Sequence, residues 1–193
     1  MSMHQILADV AAAIAGVLER ELPQVGKDWW QSCVVDRLSI QQQRLVSDRR
    51  VDSLAGLDLA GLLRVFDQNW NPLGYRLNLD QQTRNWLKEA QGIRNRWAHL
   101  PPGGLRSEDA YRDVDTLYRL LGVLGADQAT LDRAQAERGR VLGELAPRPK
   151  IDDVAAPVAQ VRGGISKGTV VRLKARPDIT GAGAARRMAH PSR

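Results

Sequence analysis

The chain is poor in the residues from which staples and metal clusters are built. Of its 193 residues one is cysteine, Cys33, and three are histidines, His4, His99 and His190. A single cysteine excludes both a disulfide framework and a thiolate zinc site. Three scattered histidines leave no ligand set for a catalytic transition metal, so neither a metal nor any other cofactor is expected. Long hydrophobic runs are missing too. The longest, Ile6 to Leu18, is interrupted by Asp9 and falls short of the roughly 20 residues that span a bilayer. No Lys or Arg precedes it as the charged flank of a signal peptide. The expectation is a cytoplasmic protein without a membrane partner. Walker-type loops are absent as well, since Gly164-Ile165-Ser166-Lys167-Gly168 has the wrong spacing to cradle a phosphate.

What remains is the make-up of an ordinary folded domain, 43% hydrophobic and 26% charged, long enough to bury a real core. The net charge of +6 is unevenly spread. Residues 147–193 hold ten Lys or Arg against three Asp or Glu, a balance of +7, and residues 1–146 hold 18 against 19, a balance of −1. The excess positive charge therefore belongs to the tail. The domain division expected is 1–146 for a helical domain and 147–193 for a basic linker and tail.

Helical spacing runs through the first part. Ile6, Val10, Ile14, Val17 and Leu18 share one face of a segment from Met3 to Leu22, which Pro23 and Gly26 end. Asp28 is placed to cap a short second helix with Trp30, Cys33, Val34 and Arg37, while Ser39–Val51 is too weakly periodic to assign. Asp58 fits an N-cap, with Leu57 and Leu62 as a hydrophobic staple. Leu59, Leu62, Leu63, Phe66 and Trp70 follow in register up to a break or bend at Asn71-Pro72. Asp80 opens another helix carrying Trp86, Ala90, Ile93 and Trp97, closed by Pro101-Pro102. Ser107 starts the next, with the stripe Ala110, Val114, Leu117, Leu121 and Leu124, and Asp127 a last one, with Leu131, Ala134, Arg138, Val141 and Leu145. The fold class expected is all-α, a helical bundle. The tail reads as a linker over Ala146–Gly164, then at most one short strand at Thr169–Ala175, then a small basic run. That strand resembles the start of a small β-barrel whose remainder is missing, as in the front end of a longer protein.

One string can carry chemistry: Arg94-Asn95-Arg96-Trp97-Ala98-His99, at the end of the helix that Asp80 opens. It resembles the active-site motif of the HEPN superfamily of helical ribonucleases, in which an Arg, usually followed by a polar residue, precedes a His by five to seven positions. Leu57-Asp58-Leu59 through Trp70-Asn71, Arg84-Asn85-Trp86 and Arg94 to His99 are similar to one branch in particular. That branch holds a eukaryotic RNA-surveillance endonuclease and the N-terminal modules of large bacterial ATPases or helicases associated with defence. The likeness covers most of residues 1–146, residues 54–99 most specifically, and leaves the tail outside it. It implies a helical bundle of the HEPN type, an RNA substrate, a homodimer with facing motifs, and a possible larger ATPase or helicase partner.

The residue types suit the implied reaction. Cleavage directed by the ribose needs a base for the 2′-hydroxyl, an acid for the leaving 5′-oxygen and a cation for the phosphorane. Histidine serves as base or acid near neutrality, and arginine presents a planar, permanently charged fork to phosphate oxygens. The catalytic candidates are Arg94, Asn95 and His99, with Lys88 and Arg96 as RNA-binding residues and no metal. Asn95 and His99 share a helical face with Lys88 and Gly92, whereas Arg94 lies about 140° away from His99. Three solutions stand open: Arg94 curls round, the helix unwinds near Ala98, or Arg94 serves the site of a second subunit. Gly92 has no side chain and lets another backbone come close, and the loop Leu100-Pro101-Pro102-Gly103-Gly104 follows His99.

Plainer readings stand beside these. His99 can be a dipole partner at a helix end, and Arg94 an ion-pair partner of Glu89 or a nearby Asp. Trp86 and Trp97 are core residues rather than a stacking platform, Arg49-Arg50 are solvated charge, and Cys33 is buried filler. Against the metal-independent endonuclease stands a non-catalytic helical module for dimerisation or RNA binding. A duplex-DNA binder is disfavoured by the −1 balance of residues 1–146.

Overall fold

A computed structural model describes residues 2–100 and 104–145. Helix α1 runs over Met3–Glu21 and buries Ile6, Val10, Ile14, Val17 and Leu18, the whole expected stripe. Pro23, without an N–H, closes it in the short 3-10 turn Leu22–Gln24. The helix expected after Asp28 is irregular instead, a π-turn over Trp30–Val34 and a 3-10 turn over Val35–Arg37, and no side chain caps it. Its carbonyls are drawn off the regular ladder by side chains. Asn69 Nδ2 donates to the Cys33 carbonyl at 2.7 Å, and Arg37 Nε to that of Ser32 at 3.1 Å. Cys33 is buried, as a core filler should be.

Helix α2, Ile40–Arg49, occupies the segment that periodicity leaves unassigned. Only Val46 is buried along it, so there is no stripe to read. A capping box sets its start: Ser39 Oγ accepts from the Gln42 N–H at 3.3 Å, and Gln42 Oε1 accepts from the Ser39 N–H at 3.0 Å. Arg50 ends it in the left-handed region, at φ 52°. Helix α3, Leu59–Gln68, starts where Asp58 Oδ1 accepts from the Gly61 N–H at 2.9 Å and buries Leu62, Leu63, Val65 and Phe66.

The break after α3 falls earlier than Asn71-Pro72. Helix α4 is Trp70–Leu77, joined to α3 through Asn69. Pro72 has no N–H to offer the Gln68 carbonyl, so the chain kinks before it and accepts the proline in the first turn of the new helix. Helices α5 (Gln81–Ala98) and α7 (Gln128–Leu145) begin at aspartate caps. Asp80 accepts from the Thr83 N–H at 2.8 Å and Asp127 from the Thr130 N–H at 2.9 Å. Helix α6, Ser107–Val123, opens at the expected serine, with Glu108 and Asp109 in its first turn.

Helix α1 packs on α3 and α6, α5 on α3 and α6, and α7 along the outside of α6. The shared core is aliphatic around Phe66, which is fully buried and stabilises the bundle by about 2–3 kcal/mol. The described residues are all helical or irregular, with no strand among them. The chain is thus all-α where it is described. The expected linker, strand and basic tail beyond Leu145 lie outside the described residues.

Candidate functional site at the end of helix α5

Helix α5 is held to α6 at two places along its length. At its C-terminal end Trp97 Nε1 donates to Asp113 Oδ2 at 2.8 Å, and Arg96 pairs with Asp113 Oδ1. Asp113 lies in the buried stripe of α6, 1% exposed. The last turn of α5 is therefore clamped to α6 through a buried carboxylate. Two turns further back along α5, the Thr116 hydroxyl donates to Glu89 Oε2 at 3.0 Å. Arg96, expected on RNA, is thus engaged in this clamp, although its side chain remains about half exposed. Trp86 and Trp97 are both half-buried against the core, which agrees with their reading as packing residues.

Arg94 turns the other way. Its Nη2 donates to Asp58 Oδ2 at 3.1 Å and its Nη1 to Asn95 Oδ1 at 3.3 Å. The side chain thus reaches across to α3 and also touches its neighbour Asn95. Its ion-pair partner is Asp58 and not Glu89. Helix α5 also stops at Ala98: His99 leaves the helical region at φ −127°, ψ 46°, and its N–H closes a tight last turn on the Arg96 carbonyl at 3.2 Å. His99, Asn95 and Lys88 are exposed and Gly92 is half-buried. The Lys88–Gly92–Asn95–His99 face is open to solvent.

Beside this face an open cleft of about 280 Å³ separates α5 from α6. Gly92, Arg96 and Arg112 line it, Arg112 exposed and without an ion pair among the described residues. Two residues that organise the site escape a reading by periodicity. Asp113 could have been noticed as a carboxylate next to Val114 on an otherwise apolar stripe. Asp58 is legible as a cap but not as the partner of Arg94, because the two are 36 positions apart.

Among the described residues no group of three His, Cys, Asp or Glu side chains is placed to hold a metal ion, and no helix is long and apolar enough to cross a membrane. The arrangement offers an anchored guanidinium, a carboxamide bonded to it, and an exposed imidazole at the same helix end. These are parts for binding a phosphodiester and moving a proton. In comparison with known families, the model of the Swt1-like HEPN domain matches residues 5–125, which contain every site residue named above. No curated protein and no solved structure matches the chain.

Proposed function

The chain belongs to the Swt1-like HEPN family, and from that premise we propose that it is a metal-independent RNA endonuclease working as a homodimer. The observation that carries this reading is Arg94, held between Asp58 and Asn95 in the last turns of α5, just ahead of an exposed His99. In the reaction the 2′-oxygen attacks phosphorus, forming an O2′–P bond as the P–O5′ bond breaks. The products are a 2′,3′-cyclic phosphate and a 5′-hydroxyl. Proton transfer at the 2′-oxygen or the 5′-oxygen falls to His99, and charge on the non-bridging oxygens to Arg94. Asn95 acts by orienting the guanidinium that it accepts from. His99 takes one of the two proton transfers and solvent the other, and a facing copy brings its own motif to the same cleft. Lys88 and the cleft with Arg96 and Arg112 would receive the neighbouring phosphates.

Purified protein incubated with RNA in EDTA tests this directly. Cleavage that leaves cyclic-phosphate ends and disappears in His99→Ala is the expected result. RNA intact at every protein concentration, or cut equally by His99→Ala, refutes it. A role in defence or as a toxin would show as growth arrest on expression, relieved by Arg94→Ala. A second reading has its own observation: the Asp58 ion pair already offsets the charge of Arg94, as would suit a non-catalytic dimerisation or RNA-binding module ahead of a larger ATPase or helicase. A dimer that binds RNA and never cuts it would favour that reading.

A further inference from the structure

We propose that Asp58 is the positioning residue of Arg94, a second role for a carboxylate whose sequence position marks it only as a helix cap; the proposal rests on the endonuclease reading above. The two carboxylate oxygens have separate tasks. Oδ1 accepts from the Gly61 N–H at 2.9 Å and starts α3, while Oδ2 accepts from Arg94 Nη2 at 3.1 Å. Because the cap bond fixes the carboxylate to the α3 backbone, the anchor presented to α5 is itself fixed. Gly61 makes room for this: a Cβ there would stand 3.3 Å from Asp58 Oδ1, a tight contact.

An arginine head carries five N–H donors. Asp58 takes one and Asn95 Oδ1 another, which leaves three for phosphate oxygens. Both bonds act on the Nη groups, so the planar fork is held at two corners. Without them a long side chain that is one-third exposed would lose rotamer freedom only on meeting the substrate.

The exposure decides where the effect should be seen. Asp58 is 59% exposed and its pair with Arg94 is solvated, so it adds little to folding stability. Its consequence should appear in turnover.

Two substitutions separate the tasks. Asp58→Asn keeps a capping oxygen, since Asn caps as well as Asp, but turns an amide donor toward the donors of Arg94. Asp58→Glu keeps a carboxylate within reach of Arg94 and gives up the short cap. Steady-state cleavage of a short RNA and thermal midpoints would be measured on full-length wild type and both variants. For Asp58→Asn the expected result is a kcat lower by roughly 10- to 100-fold, a KM unchanged or lower because one negative charge is gone, and an unshifted midpoint. Asp58→Glu should retain more of kcat while its midpoint falls. A wild-type kcat in Asp58→Asn, or a higher one as an inhibitory latch would give, overturns the proposal. So does a loss of kcat that follows the midpoint through both variants. If the wild type cuts RNA through His99 and Asp58→Asn is unaffected, this proposal alone fails. If the wild type is inactive, the endonuclease reading fails and this one with it.

Discussion

The indole N–H of Trp97 donates to the carboxylate of Asp113, a residue 1% exposed in the stripe of α6. A charged group so placed is tolerated only where both oxygens are engaged, and here Arg96 takes the second. Truncation by Asp113→Ala strands the Trp97 donor and frees Arg96. The expected cost is about 2–3 kcal/mol, mostly from the indole bond because Arg96 is half exposed. A thermal midpoint lower by about 5–10 °C would register it. Cleavage should fall too, since the clamped turn is the one that ends at His99. An unchanged midpoint would mean that the clamp contributes nothing to stability.

Lys88 and Arg96, both expected on RNA, should separate in experiment. Lys88 is exposed, so Lys88→Ala should weaken RNA binding, lower the slope of log affinity against log salt by about one, and leave stability alone. Arg96→Ala leaves Asp113 with one partner in place of two and should lower stability as well as affinity. Filter binding across a salt series, beside urea unfolding, compares them. Equal stability loss in both would contradict the division.

Acid should attack the helix starts. The Thr83 backbone N–H, then its hydroxyl, holds the Asp80 carboxyl below the usual aspartate value, and Thr130 does the same to Asp127. Glu21 is also lowered, first by its bond to Arg20 and then by Arg76. A carboxyl with a depressed folded pKa contributes stability that is complete above its unfolded value, about 4, and lost as pH falls through the folded one. Urea midpoints should therefore hold between pH 7 and 5 and fall below about pH 4. An Asp80→Asn, Asp127→Asn double variant keeps capping oxygens that do not titrate, and its decline should be shallower. Identical declines would place the acid sensitivity elsewhere.

If Arg94 of one copy serves the phosphate attacked with help from His99 of the other, two inactive variants can repair each other. Arg94→Ala and His99→Ala proteins, mixed and allowed to exchange, should then recover part of the wild-type rate, since half the sites of a heterodimer are intact. Absence of rescue in verified heterodimers would assign both residues to one subunit. A strictly monomeric protein that cleaves RNA at micromolar concentration would remove the shared site.

What the sequence determined by itself was local and periodic. The stripe of α1, the aspartate caps at Asp58, Asp80 and Asp127, and the string from Arg94 to His99 all depend on residues within a few positions of each other, so spacing alone exposes them. Even the missed α2 was local, since Ser39 and Gln42 form a capping box that a search for apolar stripes passes over. Tertiary structure decided the rest, because its causes are distant in the chain. Asn69 bonds to the Cys33 carbonyl and helps to distort the second helical segment; Asp113 binds Arg96 and Trp97 to α6; Asp58 meets Arg94 across 36 positions. Each is a polar group whose partner is set by how helices pack, and no periodicity of one segment carries that information.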